Sequence, residues 1–345
     1  MSGPERINER KCRAAGRSRG VSDGAATVAA VPLRAAVWDL GSSSFQVLVC
    51  DAGPRGTLEP VMRRRALLNL GFAVGARGLI PPDRLAASVA AASRLRRALD
   101  DVRPDVVVAL ATAAIRDASN GPEVVARLER VVGSPVRVLD GEEEARLCFS
   151  GQRAGVWIGE GPVLGLDLGG GSFEVAVGTP DDVLLAMSAP VGATRLQGEL
   201  ATGDPLSEGD RAAIHERTVA ALAPIASALA EYPGITRRAV ASGGTARALA
   251  RLAMARTRGH SPGRSNEVNQ VELPTPQVAE LAAQLAVLDL PERLALSGMP
   301  PRRAPMLPIG AAILETFAVV LGVDHFVVSE WGLREGALLD AIAHH

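Results

Sequence analysis

Lysine is almost absent: Lys11 is the only one in 345 residues, so nearly all of the 37 basic side chains are arginines. They are spread along the whole chain, which fits biased composition better than dedicated phosphate binding, and no function is read from the count. Cysteine is scarce as well. Cys12, Cys50 and Cys148 are too few and too scattered for a disulfide framework or a zinc site, which suits a reducing cytoplasm. His215, His260, His325, His344 and His345 show no metal spacing. A net charge of −1 gives no reason to expect a nucleic-acid partner. No Gly-x-x-x-x-Gly-Lys-[Ser/Thr] loop is present, which excludes that class of phosphate binder. No membrane span is expected, because the Ala-rich segments are broken by Arg, Glu and Asp at helical spacing. Residues 1–32 lack a sustained apolar stretch and read as a disordered extension rather than a signal peptide.

What is present is a repeat. Asp39-Leu40-Gly41-Ser42-Ser43-Ser44-Phe45 is matched by Asp167-Leu168-Gly169-Gly170-Gly171-Ser172-Phe173-Glu174, and each follows an apolar run that reads as a buried strand. The pattern is strand, acid, tight turn, strand. Glycine and serine allow a sharp turn that aims N–H groups and hydroxyls at one point, as a phosphate requires, and the aspartate can hold a divalent cation. With 47% apolar residues the chain is long enough for two domains, and the repeat implies that they face one another across a cleft.

The remaining pattern is α/β. Strands are expected at 46–51, 63–70, 105–111, 136–139, 173–177, 183–188, 237–242 and 325–328. Helices are expected at 82–101, 123–132, 142–152, 207–231, 275–288, 304–321 and from 333. A Gly-rich loop is expected after residue 70, a loop over 112–120, a hinge over 154–161 and a mobile loop over 257–274. Gly243-Gly244-Thr245 is a third Gly-rich strand end, leading directly into a helix. Arg116 lies beyond a buried strand, where it either clamps a phosphate or pairs with Asp117. Glu142, Glu143 and Glu144 open a helix. Such a run is ordinarily a solvated first turn, but successive positions point about 100° apart, so one of them is free to face the cleft as a base for water.

In order along the chain, these blocks, together with Arg303, Pro308-Ile309-Gly310 and Trp331-Gly-Leu-Arg-Glu-Gly336, resemble the exopolyphosphatase/guanosine pentaphosphate phosphohydrolase family of the actin, sugar-kinase and Hsp70 superfamily. The resemblance covers residues 34 to 340. It implies two actin-like, ribonuclease-H-like domains (33–155 and 156–345, with the closing helix 333–344 packing back on the first). It also implies Mg²⁺-dependent release of terminal phosphate from polyphosphate or from guanosine penta- or tetraphosphate, with homodimers frequent among relatives. By position, Glu144 matches the catalytic base, Glu143 is its neighbour and Arg116 is the phosphate-binding arginine. Asp39, Asp167 and Glu174 match the metal positions. Gly41 to Ser44, Gly169 to Ser172 and Gly244-Thr245 match the phosphate turns. Two departures stand out: Ser43 replaces the usual asparagine, and the chain resembles the short members that lack a C-terminal helical domain, which implies shorter polymers as substrate. The alternatives are a small-molecule kinase of the same superfamily, which would consume ATP only with an acceptor, and a non-catalytic polyphosphate or (p)ppGpp sensor.

Overall fold

The computed structural model describes residues 32–200, 202–233, 235, 237–258 and 268–345. All but the last residue of the expected N-terminal extension, and half of the loop expected at 257–274, lie outside them.

The first sheet contains β1 (Arg34–Leu40), β2 (Ser44–Ala52), β3 (Leu58–Leu67), β4 (Val106–Ala111) and β5 (Val136–Val138), in the order β3-β2-β1-β4-β5. The second contains β6 (Val163–Leu168), β7 (Phe173–Gly178), β8 (Val183–Ala189), β9 (Arg238–Ser242), β10 (Glu272–Pro274) and β11 (His325–Val328), in the order β10-β11-β9-β6-β7-β8. Apart from β10 the two orders are the same. Each sheet starts with an antiparallel three-stranded meander, and its first strand then pairs in parallel with a later one, β1 with β4 and β6 with β9. The sequence repeat is therefore a repeat of topology, giving the two domains of an actin-like fold.

The helices of the first lobe are α1 (Leu70–Arg77), α2 (Pro82–Asp100), α3 (Ala113–Arg116) and α4 (Gly121–Val132), and α5 (Gly141–Gly155) follows. In the second are α6 (Ala193–Leu200), α7 (Glu208–Leu229), α8 (Gly243–Arg258), α9 (Thr275–Val287), α10 (Leu290–Ala295) and α11 (Leu307–Leu321), with α12 (Leu333–Ala343) last. None of the described helices is long and apolar enough to cross a membrane.

The central strands read as unbroken apolar runs because both of their faces are covered. On β1, Ala36, Trp38 and Leu40 pack with Leu95 of α2 and Leu128 of α4, while Ala35 and Val37 pack with Ala337 and Leu338 of α12. On β6, Leu164, Leu166 and Leu168 join the large core of the second lobe, and Val163 meets Phe149 of α5. So α5 covers the second sheet and α12 covers the first. The two helices cross with their backbones touching: a Cβ on Gly336 would lie 1.9 Å from the Leu147 carbonyl oxygen, and one on Gly151 would lie 2.1 Å from that of Gly332.

Glycine misleads in one place. The loop expected after residue 70 is helix α1, and α6, which the sequence pattern does not announce, lies against it. Gly75 and Gly71 are there for proximity rather than for turning, since a Cβ at Gly75 would come within 2.4 Å of the Arg195 carbonyl and one at Gly71 within 2.3 Å of Thr194 Oγ1. The loop expected over 112–120 contains the single turn α3. Residues 156–162 join α5 to β6 without helix or strand.

Candidate active site

The two acidic turns are built alike. Asp39 pairs with Gln46 and Leu40 with Phe45 across β1 and β2, as Asp167 pairs with Glu174 and Leu168 with Phe173 across β6 and β7. Each turn is closed by one bond, Gly41 N–H to Ser44 O at 3.2 Å and Gly169 N–H to Ser172 O at 3.1 Å. The carbonyls of the second turn are taken by the start of α6: Gly169 O accepts from Ala193 N–H, Gly170 O from Thr194 and Arg195 N–H, and Gly171 O from Arg195 Nε at 2.6 Å. In the first turn, Ser42 O accepts from Gly71 N–H, and Ser43 O from Leu68 and Asn69 N–H. In a trans peptide the N–H points opposite to its carbonyl, so tying the carbonyls outward turns the amides of Ser43, Gly170, Gly171 and Ser172 the other way. Among the described residues these amides, and that of Ser42, donate to no protein group. Five unspent donors in two facing turns make an anion nest.

The turns meet each other. A Cβ on Gly170 would fall 2.2 Å from Ser43 Oγ, and one on Gly171 would fall 2.3 Å from Ser42 Oγ. Small residues are thus required at the seam, and Ser43 occupies the space opposite Gly170.

Behind the turns lies a cavity of about 110 Å³ lined by Asp39, Glu144, Asp167 and Glu174, by the two turns, and by Gly244. Asp39 Oδ2 accepts from Gln46 Nε2 at 3.1 Å, Asp167 from Ser242 Oγ, and Glu174 Oε1 from Ser188 Oγ at 3.0 Å. Burial pushes all four carboxyls up, Glu174 to about 7 and Glu144 well above the ordinary glutamate range, with the negative neighbours adding to the shift. Asp39, Glu144, Asp167 and Glu174 thus bring four carboxyls to one cavity, oxygen donors of the kind a hard cation takes. Among the described residues no three His, Cys, Asp or Glu side chains converge as a complete ligand set. That suits Mg²⁺, which characteristically takes one or two carboxylates and completes its shell with water and phosphate oxygens.

The three successive glutamates separate cleanly. Glu142 pairs with Arg146 on the surface at 2.7 Å. Glu143 caps its own helix, its N–H donating to Asp140 Oδ1 and its carboxylate accepting from Asp140 N–H. Glu144 alone turns inward, 5% exposed, with Oε2 held by Arg116 Nη1 at 2.9 Å. Arg116 does not line the cavity. It reaches Glu144, the Leu139 carbonyl and, at 3.3 Å, Asp117, so of the two roles considered for it the ion pair is present, and the guanidinium is engaged by Glu144 rather than facing the cavity. Thr245 is also outside the lining, buried against Gly310.

Four arginines also line the cavity, Arg65 of β3, Arg247 of α8, Arg303, and Arg334 of α12, the last 3.9 Å from Asp39 Oδ2. Arg303 and Arg334 lie in sequence blocks noted above without an assigned role, and Arg65 and Arg247 carry no motif. Arg65 and Arg334 both donate to Gln46 Oε1, the latter at 2.6 Å, which turns the Gln46 amide toward Asp39. Burial and mutual repulsion lower Arg65 to about 9, Arg247 to about 10, and Arg303 also. Burial opposes the charge on Arg334 too, but Glu335, Asp39 and Asp167 outweigh it and raise its pKa. Arg65, Arg247 and Arg303 thus form a positive cluster whose charges repel one another and Arg334. Arg303 lies flat on Gly244, where a Cβ would sit 1.9 Å from its guanidinium carbon.

The description "Ppx/GppA phosphatase family" matches residues 48–345. Exopolyphosphatase 1 of Mycobacterium tuberculosis is 31% identical over 310 residues, covering 89% of this chain and 88% of the relative. The guanosine-5′-triphosphate,3′-diphosphate pyrophosphatase of Aeromonas hydrophila is 31% identical over 327 residues, covering 91% of this chain and 60% of the relative. A crystal structure of an exopolyphosphatase from Cytophaga hutchinsonii superposes with a TM-score of 0.80 at 26% identity, covering 89% of this chain and 98% of the other. The Aquifex aeolicus Ppx/GppA structure superposes with a TM-score of 0.72 at 26% identity, covering 90% and 98%. The overall fold thus agrees with the comparisons, and the chain belongs to the Ppx/GppA phosphatase family.

Proposed function

We propose that this chain releases the terminal phosphate of linear inorganic polyphosphate by attack of water. The observation that carries the reading is a single cavity lined by four buried acids, an anion nest and four arginines. Such a lining suits a polyanion: the end to be cleaved enters the nest, and the rest of the chain runs past Arg65, Arg247 and Arg303, which line a second cavity as well. One or two of the carboxylates of Asp39, Asp167 and Glu174 would hold Mg²⁺, whose chemistry is to neutralise phosphate oxygens. Glu144 orients the attacking water and takes its proton, Arg116 fixes the carboxylate that does so, and the free amides of the turns receive the charge that builds on the phosphoryl oxygens.

The direction of the chain is supported by a second cavity of about 370 Å³. It shares Arg65, Gly244, Arg247 and Arg303 with the first and adds Arg63, Arg251 and Arg302. No aromatic ring lines it, so it offers cations to phosphates rather than a stacking surface to a base. Hydrolysis of pppGpp is the second reading, favoured by the relative named for that substrate and by the identical terminal group. A panel of short polyphosphate, long polyphosphate, pppGpp and ATP, assayed for phosphate release, decides between them. Short polyphosphate is expected to be turned over fastest; faster release from pppGpp would reverse the order.

Gly244→Ala is a milder test of the arginine cluster. The methyl group displaces Arg303, and loss of one charge-assisted contact is expected to raise KM for polyphosphate about tenfold while kcat changes less. Steady-state kinetics check it.

A further inference from the structure

We propose that Arg195, on α6 of the second lobe, is a positioning residue that clamps the lobes together and sets the catalytic pair and the second phosphate turn in register. This rests on the hydrolytic reading above and adds to it a residue outside the cavity lining.

One guanidinium serves both parts of the site. Its Nε donates to Gly171 O at 2.6 Å, which fixes the peptide whose opposite end is the unpaired Ser172 N–H. Its Nη2 pairs with Asp117 Oδ2 in the first lobe. The other oxygen of Asp117 takes Arg116 Nε at 3.3 Å, and Arg116 holds Glu144 at 2.9 Å. The side chain of Arg195 is only 11% exposed, although its partner Asp117 is 30% exposed, so the guanidinium is held in a defined geometry. An unbroken series of charged contacts therefore runs from the phosphate turn of one lobe to the base held by the other.

The same helix offers Arg195 a second acid. Glu199 Oε1 stands 3.8 Å from Nη1, one helical turn on, and is itself held by Arg217 at 3.2 Å. If the lobes part and Asp117 withdraws, Arg195 retains a carboxylate partner, so opening does not strand a buried charge. Closing adds Asp117 to the partners of a guanidinium that keeps Glu199 on its other amino group and Gly171 O on its Nε, and Arg116 is then fixed as well as Ser172 N–H. The clamp thus ties assembly of the site to lobe closure.

The test uses the full chain with Arg195→Gln, Arg195→Lys, Asp117→Asn and the double variant Asp117→Asn/Arg195→Gln. Misplacing reacting groups by about 1 Å costs on the order of 10²-fold. Arg195→Gln is accordingly expected to lower kcat on short polyphosphate about 30-fold with KM within about threefold, and Arg195→Lys, which keeps the charge but one donor direction, to recover part of it. The double variant should be no slower than Arg195→Gln alone. A change confined to KM, or strictly multiplicative effects of the two substitutions, overturns the proposal. Small-angle scattering supplies the readout independent of turnover: the radius of gyration should rise in Arg195→Gln relative to the unsubstituted chain. If the unsubstituted chain releases no phosphate and yet Arg195→Gln expands it, the hydrolytic reading fails and the clamp stands; an unchanged radius sinks the clamp whatever the activity.

Discussion

Glu144→Gln lowers phosphate release from polyphosphate about 10³-fold or more, with KM little altered and the fold intact. The size follows from the role, since a positioned general base contributes roughly 10² to 10⁴ and an amide cannot accept the proton. The selectivity follows from the surroundings. Glutamine has the same shape, and its Oε1 can still accept from Arg116, so neither α3 nor α5 loses its contact. Removing a carboxyl that burial already penalises also relieves repulsion from Glu174 and Asp39. Thermal unfolding at or slightly above that of the unsubstituted chain, together with the kinetic loss, separates a chemical role from a structural one. Equal turnover in the two proteins would remove Glu144 from the mechanism.

Asp167→Asn is expected to be nearly as severe, about 10³-fold in kcat, a loss worth roughly 4 kcal/mol of transition-state stabilisation. The amide keeps the shape of the side chain, and Ser242 Oγ can reverse its role, accepting from the new NH₂ where it donates to Asp167 now. What disappears is the negative charge facing the cavity. The defect should therefore appear as a shift of the Mg²⁺ titration to higher concentration as well as a lower plateau, and chelation with EDTA should abolish activity in both proteins. A variant with normal Mg²⁺ response would mean that Asp167 does not hold the ion.

How much of this was visible in the sequence depended on whether a residue's neighbours in the chain are its neighbours in space. The acidic turns were legible because one hairpin contains everything that shapes them: strand, acid, small residues, strand. Burial on both faces made β1, β4 and β6 legible as apolar runs. Glu144 was visible only as one of three, because the choice depends on a 100° rotation about α5 and on Asp140 engaging Glu143 in a cap. The arginine cluster was dispersed. Arg65, Arg247 and Arg334 come from three elements, and Arg303 from a turn, all far apart in sequence, and in a chain so rich in arginine none stands out. One local signal did exist. In β3, Arg63 and Arg65 share a face and Arg64 takes the other, and Arg65 lies opposite Gln46, the counterpart of Glu174 in the second hairpin. Gly71 and Gly75 misled for the opposite reason: glycine signals a turn or a close approach, and the partner that decides between them, α6, is remote in sequence.

The central claim is that the cavity cleaves the terminal anhydride of a polyphosphate. It is tested most directly by following a linear polyphosphate of defined length with Mg²⁺, resolving the products by length and quantifying orthophosphate, with Glu144→Gln as the blank. The account predicts orthophosphate from the first time point and chains shortened one unit at a time. Internal fragments without orthophosphate, or release no faster than in the blank, would contradict it.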